Sequence, residues 1–258
     1  CAKGKPLDLN ALLMVDALKL FRDRSFLSFA LCSMLICIPL AYYYGQTSAY
    51  LGAAGFLQPA SAMTLGQMSE IAFMLMIPFF FRKLGVKWML LIGMLSWVAR
   101  YALFAFSAPE QLAGMLLLGV ALHGICYDFF FVTGFIYTDK KASVEIRSQA
   151  QALLIFLTQG LGMFFGFRMA FGGKFPLTDA NLPNTLGVYG TVPAGHPQLM
   201  AEISTKTQNH DSIGLLENLT DMFGKIYPEG TDPILIAKAM EDWKNYWIFP
   251  AGMAAVIA

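Results

Sequence analysis

The sequence predicts an all-α membrane protein, and three observations support this fold class. Hydrophobic residues make up 57% of the 258-residue chain and charged residues only 14%, whereas soluble domains carry about a quarter charged residues. The apolar residues are gathered in stretches of roughly 20, the length at which a helix crosses a ~30 Å hydrocarbon core. Runs of alternating ten-residue strands, which would indicate a barrel, are not found.

Six apolar segments are candidates for membrane spans. Five of them are long enough to cross the bilayer, and a sixth begins near Trp243 and runs to Ala258. Every backbone polar group in lipid must bond within its own segment, so each span is expected to be a helix. The five complete spans are predicted at residues 25–45, 60–81, 88–107, 111–137 and 148–171.

These spans divide the chain into four parts. The chain opens on a cysteine rather than methionine and closes inside an apolar run, so we expect it to be a fragment of a longer membrane protein. Residues 7–24 have the spacing of an amphipathic helix lying on the inner membrane surface. The predicted parts are a cytoplasmic linker at 1–24, five transmembrane helices within 25–171, an extracytoplasmic loop at 172–242 and a truncated last transmembrane helix at 243–258.

Lysine and arginine indicate how the spans are oriented. Residues 1–24, 82–87 and 140–147 contain these cations, whereas the opposite connections at 46–59 and 108–110 contain none. Positive connections stay on the cytoplasmic side, so the chain is expected to begin there and to lie in the cell inner membrane. The net charge of +1 gives no electrostatic case for binding nucleic acid.

Four ionisable side chains lie well inside the predicted spans, away from their ends: Glu70, Arg100, His123 and Asp128. Such residues are costly in lipid and usually face the interior of a helix bundle or a wet cavity. At a rise of 1.5 Å per residue, Glu70, Arg100 and Asp128 lie roughly 14–18 Å from the inner interface, near the middle of the membrane. This shared depth predicts a functional cluster, in which Arg100 is an ion-pair candidate for Glu70 or Asp128.

Helical spacing indicates which polar residues share a face. Gln67 and Glu70 are three residues apart and lie on one face. At 100° per residue His123 and Tyr127 also share a face, while Asp128 is about 140° away from His123. We therefore expect His123 and Tyr127 to contact a ligand and Asp128 to point towards a neighbouring helix. A packing role for His123 and an interhelical hydrogen-bonding role for Gln67 stay open as alternatives.

Aromatic and glycine residues suggest further structural roles. The run AYYYGQTSAY at 41–50 and the residues Trp243, Tyr246 and Trp247 favour aromatic belts at the membrane interface. A stacking surface for a flat ring is the alternative for the tyrosines. Gly162 and Gly166 are four residues apart, which favours close packing of their helix against a neighbour.

Two stretches carry a resemblance to a known family. GQMSEIAFMLMIPFFFRKLGVKWMLLIGMLSWVARY and the following LHGICYDFFFVTGFIY resemble the nucleoside:proton symporters of the major facilitator superfamily, over residues 25–172. The resemblance implies a major facilitator-type helical bundle of two six-helix halves, with this chain as the second half and a missing N-terminal half as its partner. It implies substrate binding by Gln67, Glu70, His123 and Tyr127, and proton coupling by Asp128. Its mid-membrane depth makes Glu70 a second candidate for proton coupling.

The expected function is secondary active transport, with a nucleoside and a proton as the transported partners and the lipid bilayer as the surroundings. No cofactor or metal is expected, because the four cysteines lack metal-ligand spacing. A permease for another small polar solute such as a sugar and a transporter-derived sensor are alternatives. His123 and Asp128 also form the H-x4-D spacing of glycerolipid acyltransferases, but their mid-membrane position disfavours an enzyme.

Overall fold

The computed structural model shows a helical chain. In the part of the chain that it covers, the β structure is limited to an isolated bridge between Phe56 and Lys225. The predicted surface helix at 7–24 lies partly outside the described residues, and a short 3-10 helix spans Ala17–Arg22. The described residues are 14–171, 196, 199, 201–202, 221, 223–225, 227 and 230–258.

Six long helical segments follow one another. The helix Pro59–Ser107 is interrupted at Gly85, and we name its two arms α2 and α3. Helix α4 contains a π-helical turn at Asp128–Val132, and α5 contains one at Phe156–Gly162. The segments are α1 (Arg24–Ala53), α2 (59–84), α3 (86–107), α4 (Ala113–Lys141), α5 (Arg147–Phe171) and α6 (Pro233–Ile257).

Polar caps and prolines define where several helices begin. The Asp23 carboxylate accepts hydrogen bonds from the backbone N–H of Ser25 at 2.8 Å and of Phe26 at 3.4 Å, which starts α1. Asp232 caps α6 in the same way, and Pro233 occupies its first turn. Helix α6 therefore begins well before Trp243, near which the sixth apolar segment was predicted to begin.

Gly85 turns one 49-residue helix into a pair of helices. Its φ of 69° lies in the left-handed region that glycine adopts without strain. Both arms contact α4: Ser69 of α2 accepts a hydrogen bond from the Gly124 N–H at 3.0 Å, and the Trp97 ring of α3 lies 5.3 Å from that of Phe130. The arms therefore lie side by side, and each is of a length that fits the bilayer.

Four helices in the described part of the chain are long and apolar enough to cross a membrane: Arg24–Ala53, Pro59–Ser107 with its break, Ala113–Lys141 and Arg147–Phe171. Helix α6 lies outside this set, and its first half carries several charged residues. These helices confirm the all-α membrane fold that the sequence predicts.

Aromatic side chains fill the space between α1, α3 and α6. Trp243, Tyr246 and Trp247 are at most 1% exposed, and the Tyr50 hydroxyl donates a hydrogen bond to the Phe104 carbonyl at 2.7 Å. The predicted belt at the start of the last helix was wrong, because α6 lays this face against α1 and α3. Apart from Tyr44, the tyrosines of the run at 41–50 are buried as well.

Glycines allow α5 to pack directly on the backbone of α1. A Cβ at Gly166 would lie 2.6 Å from the Ala41 Cβ, and one at Gly162 would lie 2.5 Å from the Met34 carbonyl oxygen. Both distances are shorter than van der Waals contact, so these positions require glycine at the present helix separation. The close packing that the glycine spacing predicts is confirmed.

Polar contacts join the chain segments at each end of the bundle. At the end with the basic turns, Asp23 forms an ion pair with Lys141, and Asp139 lies 3.3 Å from Arg147. At the opposite end, the Tyr227 hydroxyl lies 2.8 Å from the Ala53 carbonyl oxygen. The described part of the predicted outer loop thus rests on the end opposite the basic turns, while most of 172–229 lies outside the described residues.

Candidate functional site

A polar cluster lies halfway along α1–α4, with the His123 side chain at its centre. His123 is only 3% exposed and sits on α4 directly before Gly124, whose backbone contacts α2. At Gly66 a Cβ would lie 3.1 Å from the His123 Cβ, so α2 passes very close to the imidazole. The sequence thus places the imidazole of His123 where α2 packs closely on α4.

Arg100 reaches His123 from α3. Its Nη2 lies 3.2 Å from His123 Nδ1, and its Cζ lies 4.3 Å from the centroid of the Tyr43 ring. The guanidinium is completely buried. The cation–π contact with Tyr43 stabilises the charge in this buried position.

Glu70 reaches the other side of the same imidazole from α2. Glu70 Oε2 lies 3.9 Å from His123 Nε2, and the Glu70 side chain is 24% exposed while that of His123 is 4% exposed. The imidazole therefore lies between a buried cation and a carboxylate at the open edge of the cluster. The structure brings together three of the ionisable residues that the sequence analysis selected.

The ion pair considered for Arg100 is not formed in the described part of the chain. Neither Glu70 nor Asp128 lies within ion-pair distance of the guanidinium, and His123 occupies the position where a carboxylate was expected. Depth along the membrane is similar for these residues, but α3 approaches α4 on its His123 side. Counting residues gives depth and does not give the rotation of each helix.

Asp128 is fully buried at the start of the π-helical turn of α4. Both of its carboxylate oxygens lack a hydrogen-bond partner among the residues that the structure describes. A buried unpaired carboxylate is costly as an anion and far less so when protonated. Bulges of this type often occur at functional positions because they redirect side chains.

Aromatic rings form the walls of the cluster. The Tyr43 ring stacks on that of His123 at 5.1 Å and 16°, the Tyr44 ring meets it edge-on at 5.9 Å, and Tyr127 lies at 5.7 Å. Tyr44 is 41% exposed and Tyr127 is half-buried. Tyr43 and Tyr44 were not among the predicted site residues, although the stacking surface considered for this run pointed to them.

Gln67 lies on α2 close to Glu70, and its side chain is exposed. It makes none of the interhelical hydrogen bonds that the structure gives for the described residues. Glu70, Tyr44, Tyr127 and Gln67 therefore share the accessible side of the cluster, while Arg100, Tyr43 and Asp128 lie behind it.

The geometry of His123 and Asp128 does not suit an acyltransferase. Asp128 is not hydrogen-bonded to His123, so the two residues of the H-x4-D spacing do not form an acid–base pair. No group of three or more His, Cys, Asp or Glu side chains that could hold a metal ion occurs in the described part of the chain.

Comparison with known proteins identifies relatives of the chain. The curated relatives include the putative nucleoside transporter YegT of Escherichia coli K12, 43% identical over 165 residues, which are 63% of this chain and 39% of YegT. The nucleoside permease NupG of the same organism is 33% identical over 168 residues, 61% of this chain and 40% of NupG. Its xanthosine permease is 27% identical over 169 residues, with the same coverage. The chain thus spans about 40% of the length of these relatives.

Solved structures show the same fold. A crystal structure of a mutant of the nucleoside transporter NupG matches with a TM-score of 0.63 at 20% identity, covering 99% of this chain and 52% of that one. A second NupG crystal structure matches with a TM-score of 0.55 at 22% identity, covering 97% and 52%. The match confirms the predicted major facilitator-type helical bundle.

A family model provides the assignment. The model described as "Nucleoside H+ symporter" matches residues 2–183, well over half of the chain. The family consists of transporters and not enzymes, and its members and the apolar helices of this chain indicate a multi-pass protein of the cell inner membrane. The chain therefore belongs to the nucleoside H+ symporter family.

Proposed function

We propose that this chain contributes to proton-coupled uptake of nucleosides across the membrane, and that its polar cluster binds the substrate. The observation that carries the proposal is the facing pair of His123 Nε2 and Glu70 Oε2 at 3.9 Å. This separation is too long for a direct hydrogen bond, yet a hydroxyl group can lie about 2.8 Å from both atoms. A ribose hydroxyl, which donates and accepts, fits such a pair.

The aromatic rings supply the second element of nucleoside recognition. Tyr44 and Tyr127 lie beside His123 on the accessible side of the cluster. A base can stack against such rings, with a gain of about 0.5–1.5 kcal/mol beyond burial for an aromatic pair. Gln67 adds an amide with both a donor and an acceptor for a base or a ribose.

Two carboxyl groups are proposed to couple transport to protons. Glu70 lies at the accessible edge of the site, and Asp128 lies buried behind it. Protonation removes the charge that would oppose movement of either group through a dry state. The proton gradient would then drive the exchange between outward-open and inward-open states.

A second six-helix half is proposed to close the substrate site. The supporting observations are that the chain corresponds to 52% of the solved NupG chain and that Gln67 and Tyr44 are exposed. In transporters of this architecture the substrate binds between the two halves. The described part of the outer loop, resting on α1 at Ala53, forms part of the outer surface of this chain.

Uptake by the full-length protein in proteoliposomes tests this function. We expect accumulation of tritiated uridine when the inside is alkaline, and loss of accumulation when a protonophore is added. Excess adenosine should compete, whereas excess glucose should not. A permease for sugars is the alternative, because the same pair also fits a sugar hydroxyl. Gradient-driven glucose accumulation without uridine accumulation would establish that alternative.

A further inference from the structure

Arg100 is a buried cation that contacts the imidazole of His123. The described residues place no carboxylate within ion-pair distance of its guanidinium, and its Nε and Nη1 have no hydrogen-bond partner among them. A guanidinium stays charged in proteins and offers only donors. The contact of 3.2 Å between Arg100 Nη2 and His123 Nδ1 is therefore a hydrogen bond only if Nδ1 is the acceptor.

This requirement fixes where the hydrogen of the imidazole lies. A neutral imidazole has one nitrogen that accepts and one that donates. With Nδ1 accepting from Arg100, the hydrogen lies on Nε2, the nitrogen that faces Glu70. A protonated His123 would place two donors and two positive charges against each other at 3.2 Å in a buried setting.

The surrounding rings hold both partners in this orientation. The Tyr43 ring contacts the Arg100 guanidinium at 4.3 Å and stacks on His123 at 5.1 Å. The approach of Gly66 to the His123 Cβ limits movement of the ring from the α2 side. A flipped imidazole would present a carbon atom to Arg100 and leave a further buried donor unsatisfied, which is costly.

We propose that Arg100 is a positioning residue that holds His123 as the neutral tautomer with its hydrogen on Nε2. His123 then always donates towards the accessible side and Glu70 accepts there. While Glu70 is ionised, a bridging ligand group must accept from His123 and donate to Glu70, as a hydroxyl does and an ether oxygen does not. Arg100 acts on the ligand only through His123.

Nitrogen-15 NMR of histidine tests the tautomer without any measurement of transport. The full-length protein, labelled with 15N-histidine and placed in lipid bilayers, gives separate signals for protonated and unprotonated ring nitrogens. The His123 signals are identified by their loss in His123→Gln. We expect hydrogen on Nε2 in the unmodified protein, in Arg100→Lys and in the control Arg82→Gln, which changes an exposed arginine. Arg100→Met should populate both neutral tautomers.

Two results would overturn the proposal. One is hydrogen on Nδ1 in the unmodified protein, which is decisive even if Arg100→Met fails to fold. The other is a folded Arg100→Met protein in which His123 keeps a single tautomer with hydrogen on Nε2.

Uridine binding supplies a second test, which rests on the proposed function. We expect Arg100→Met to weaken binding by about tenfold, the value of roughly one hydrogen bond. In a His123→Ala background the same change should have little further effect, because residues that act through one another are not additive. Additive losses would contradict the role of Arg100 through His123. Absence of uridine binding by the unmodified protein would contradict the proposed function and leave the NMR result standing.

Discussion

Glu70 on α2 and His123 on α4 hold their side chains 3.9 Å apart because their chain neighbours Ser69 and Gly124 are in contact. Ser69 precedes Glu70, Gly124 follows His123, and the Gly124 N–H donates to Ser69 Oγ at 3.0 Å. The Ser69 hydroxyl in turn donates to the Gly66 carbonyl at 2.7 Å. The separation of the two chemical groups is thus set by how closely the two helices pack.

The first prediction concerns Gly124, which permits this contact. A Cβ here would lie 2.5 Å from the Ser69 carbonyl carbon and 2.6 Å from its oxygen, so Gly124→Ala must push α2 and α4 apart. Overpacking of this kind costs typically about 1–3 kcal/mol. We expect a lower unfolding temperature and weaker uridine binding. The control is Gly114→Ala on the same helix, where a Cβ has no atom within 4 Å. Equal unfolding temperatures of the two variants would contradict the packing argument.

The second prediction concerns proton coupling by Glu70. Glu70→Gln keeps the shape and an acceptor oxygen but cannot release a proton. We expect the variant to reach the membrane and to lose gradient-driven accumulation of uridine in proteoliposomes. Glu110→Gln, at an exposed position between α3 and α4, is the matched control. If Glu70→Gln concentrates uridine at the unmodified rate, Glu70 does not couple protons.

The third prediction separates two roles for Asp128. Asn keeps the shape of the side chain and cannot titrate, whereas Ala also removes the polar group. We expect Asp128→Asn to exchange uridine across the membrane without uphill uptake and to bind it with nearly unchanged affinity. Asp128→Ala should also lose uridine exchange or binding, because it removes the polar group. Equal loss of both variants from the membrane would instead indicate a structural role, measured as protein recovered in the membrane fraction.

The apolar stretches predicted where helices α1 to α5 lie, because each stretch is a local property of the sequence. The break at Gly85 follows from the turn FRKLGVK, and the shared depth of Glu70, Arg100 and Asp128 follows from the rise of a helix. Glu70 and Arg100 lie in one contact chain with His123, whereas Asp128, the third residue of that estimate, makes no hydrogen bond or ion pair to this chain of contacts.

The rotation of each helix about its axis could not be derived in the same way. Arg100 was expected opposite a carboxylate and lies against His123, because tertiary packing decides which face of α3 meets α4. The aromatic residues of α6 were expected in an interfacial belt, and packing on Tyr50 and Phe104 buries them instead. The π-helical turn at Asp128 has no signal in helical spacing, since it adds a residue to a single turn.

The fourth prediction concerns acid stability at the end with the basic turns. The hydrogen bond from Lys141, with that from the Ser25 backbone, holds the pKa of Asp23 below its usual value. The pair therefore stabilises the fold above the unfolded pKa of about 3.9, and this contribution is lost as the pH falls through the lowered value. Asp23→Asn keeps the helix cap and removes the charge.

Part of the acid dependence of the unfolding temperature is due to this ion pair and is suppressed by high salt. We expect Asp23→Asn to reduce that part. Both partners are partly exposed, so the effect is small and screened. Thermal unfolding in detergent across the acidic range, at low and high salt, measures it. Lys141→Met should reduce the salt-sensitive acid dependence by the same amount. The double variant should reduce it by no more than either single variant. If the unfolding temperature of Asp23→Asn depends on pH as strongly as that of the unmodified protein, other carboxylates determine the acid dependence.

The last prediction concerns His123 itself. His123→Ala removes the group that joins Arg100 to the Glu70 side of the cluster in the described residues, and it leaves Arg100 Nη2 without this hydrogen-bond partner. We expect uridine and adenosine binding to weaken by about 1–3 kcal/mol, the cost of an unsatisfied polar partner. His123→Gln should recover part of this loss, because its amide also accepts and donates. Calorimetry on the full-length protein gives both affinities.

Since the imidazole is proposed to contact the ribose, both nucleosides should lose affinity equally, whereas a loss for one alone would indicate contact with the base. Unchanged affinity for both in His123→Ala would assign His123 to packing between Tyr43 and Tyr127 and leave Glu70 without its partner in hydroxyl recognition.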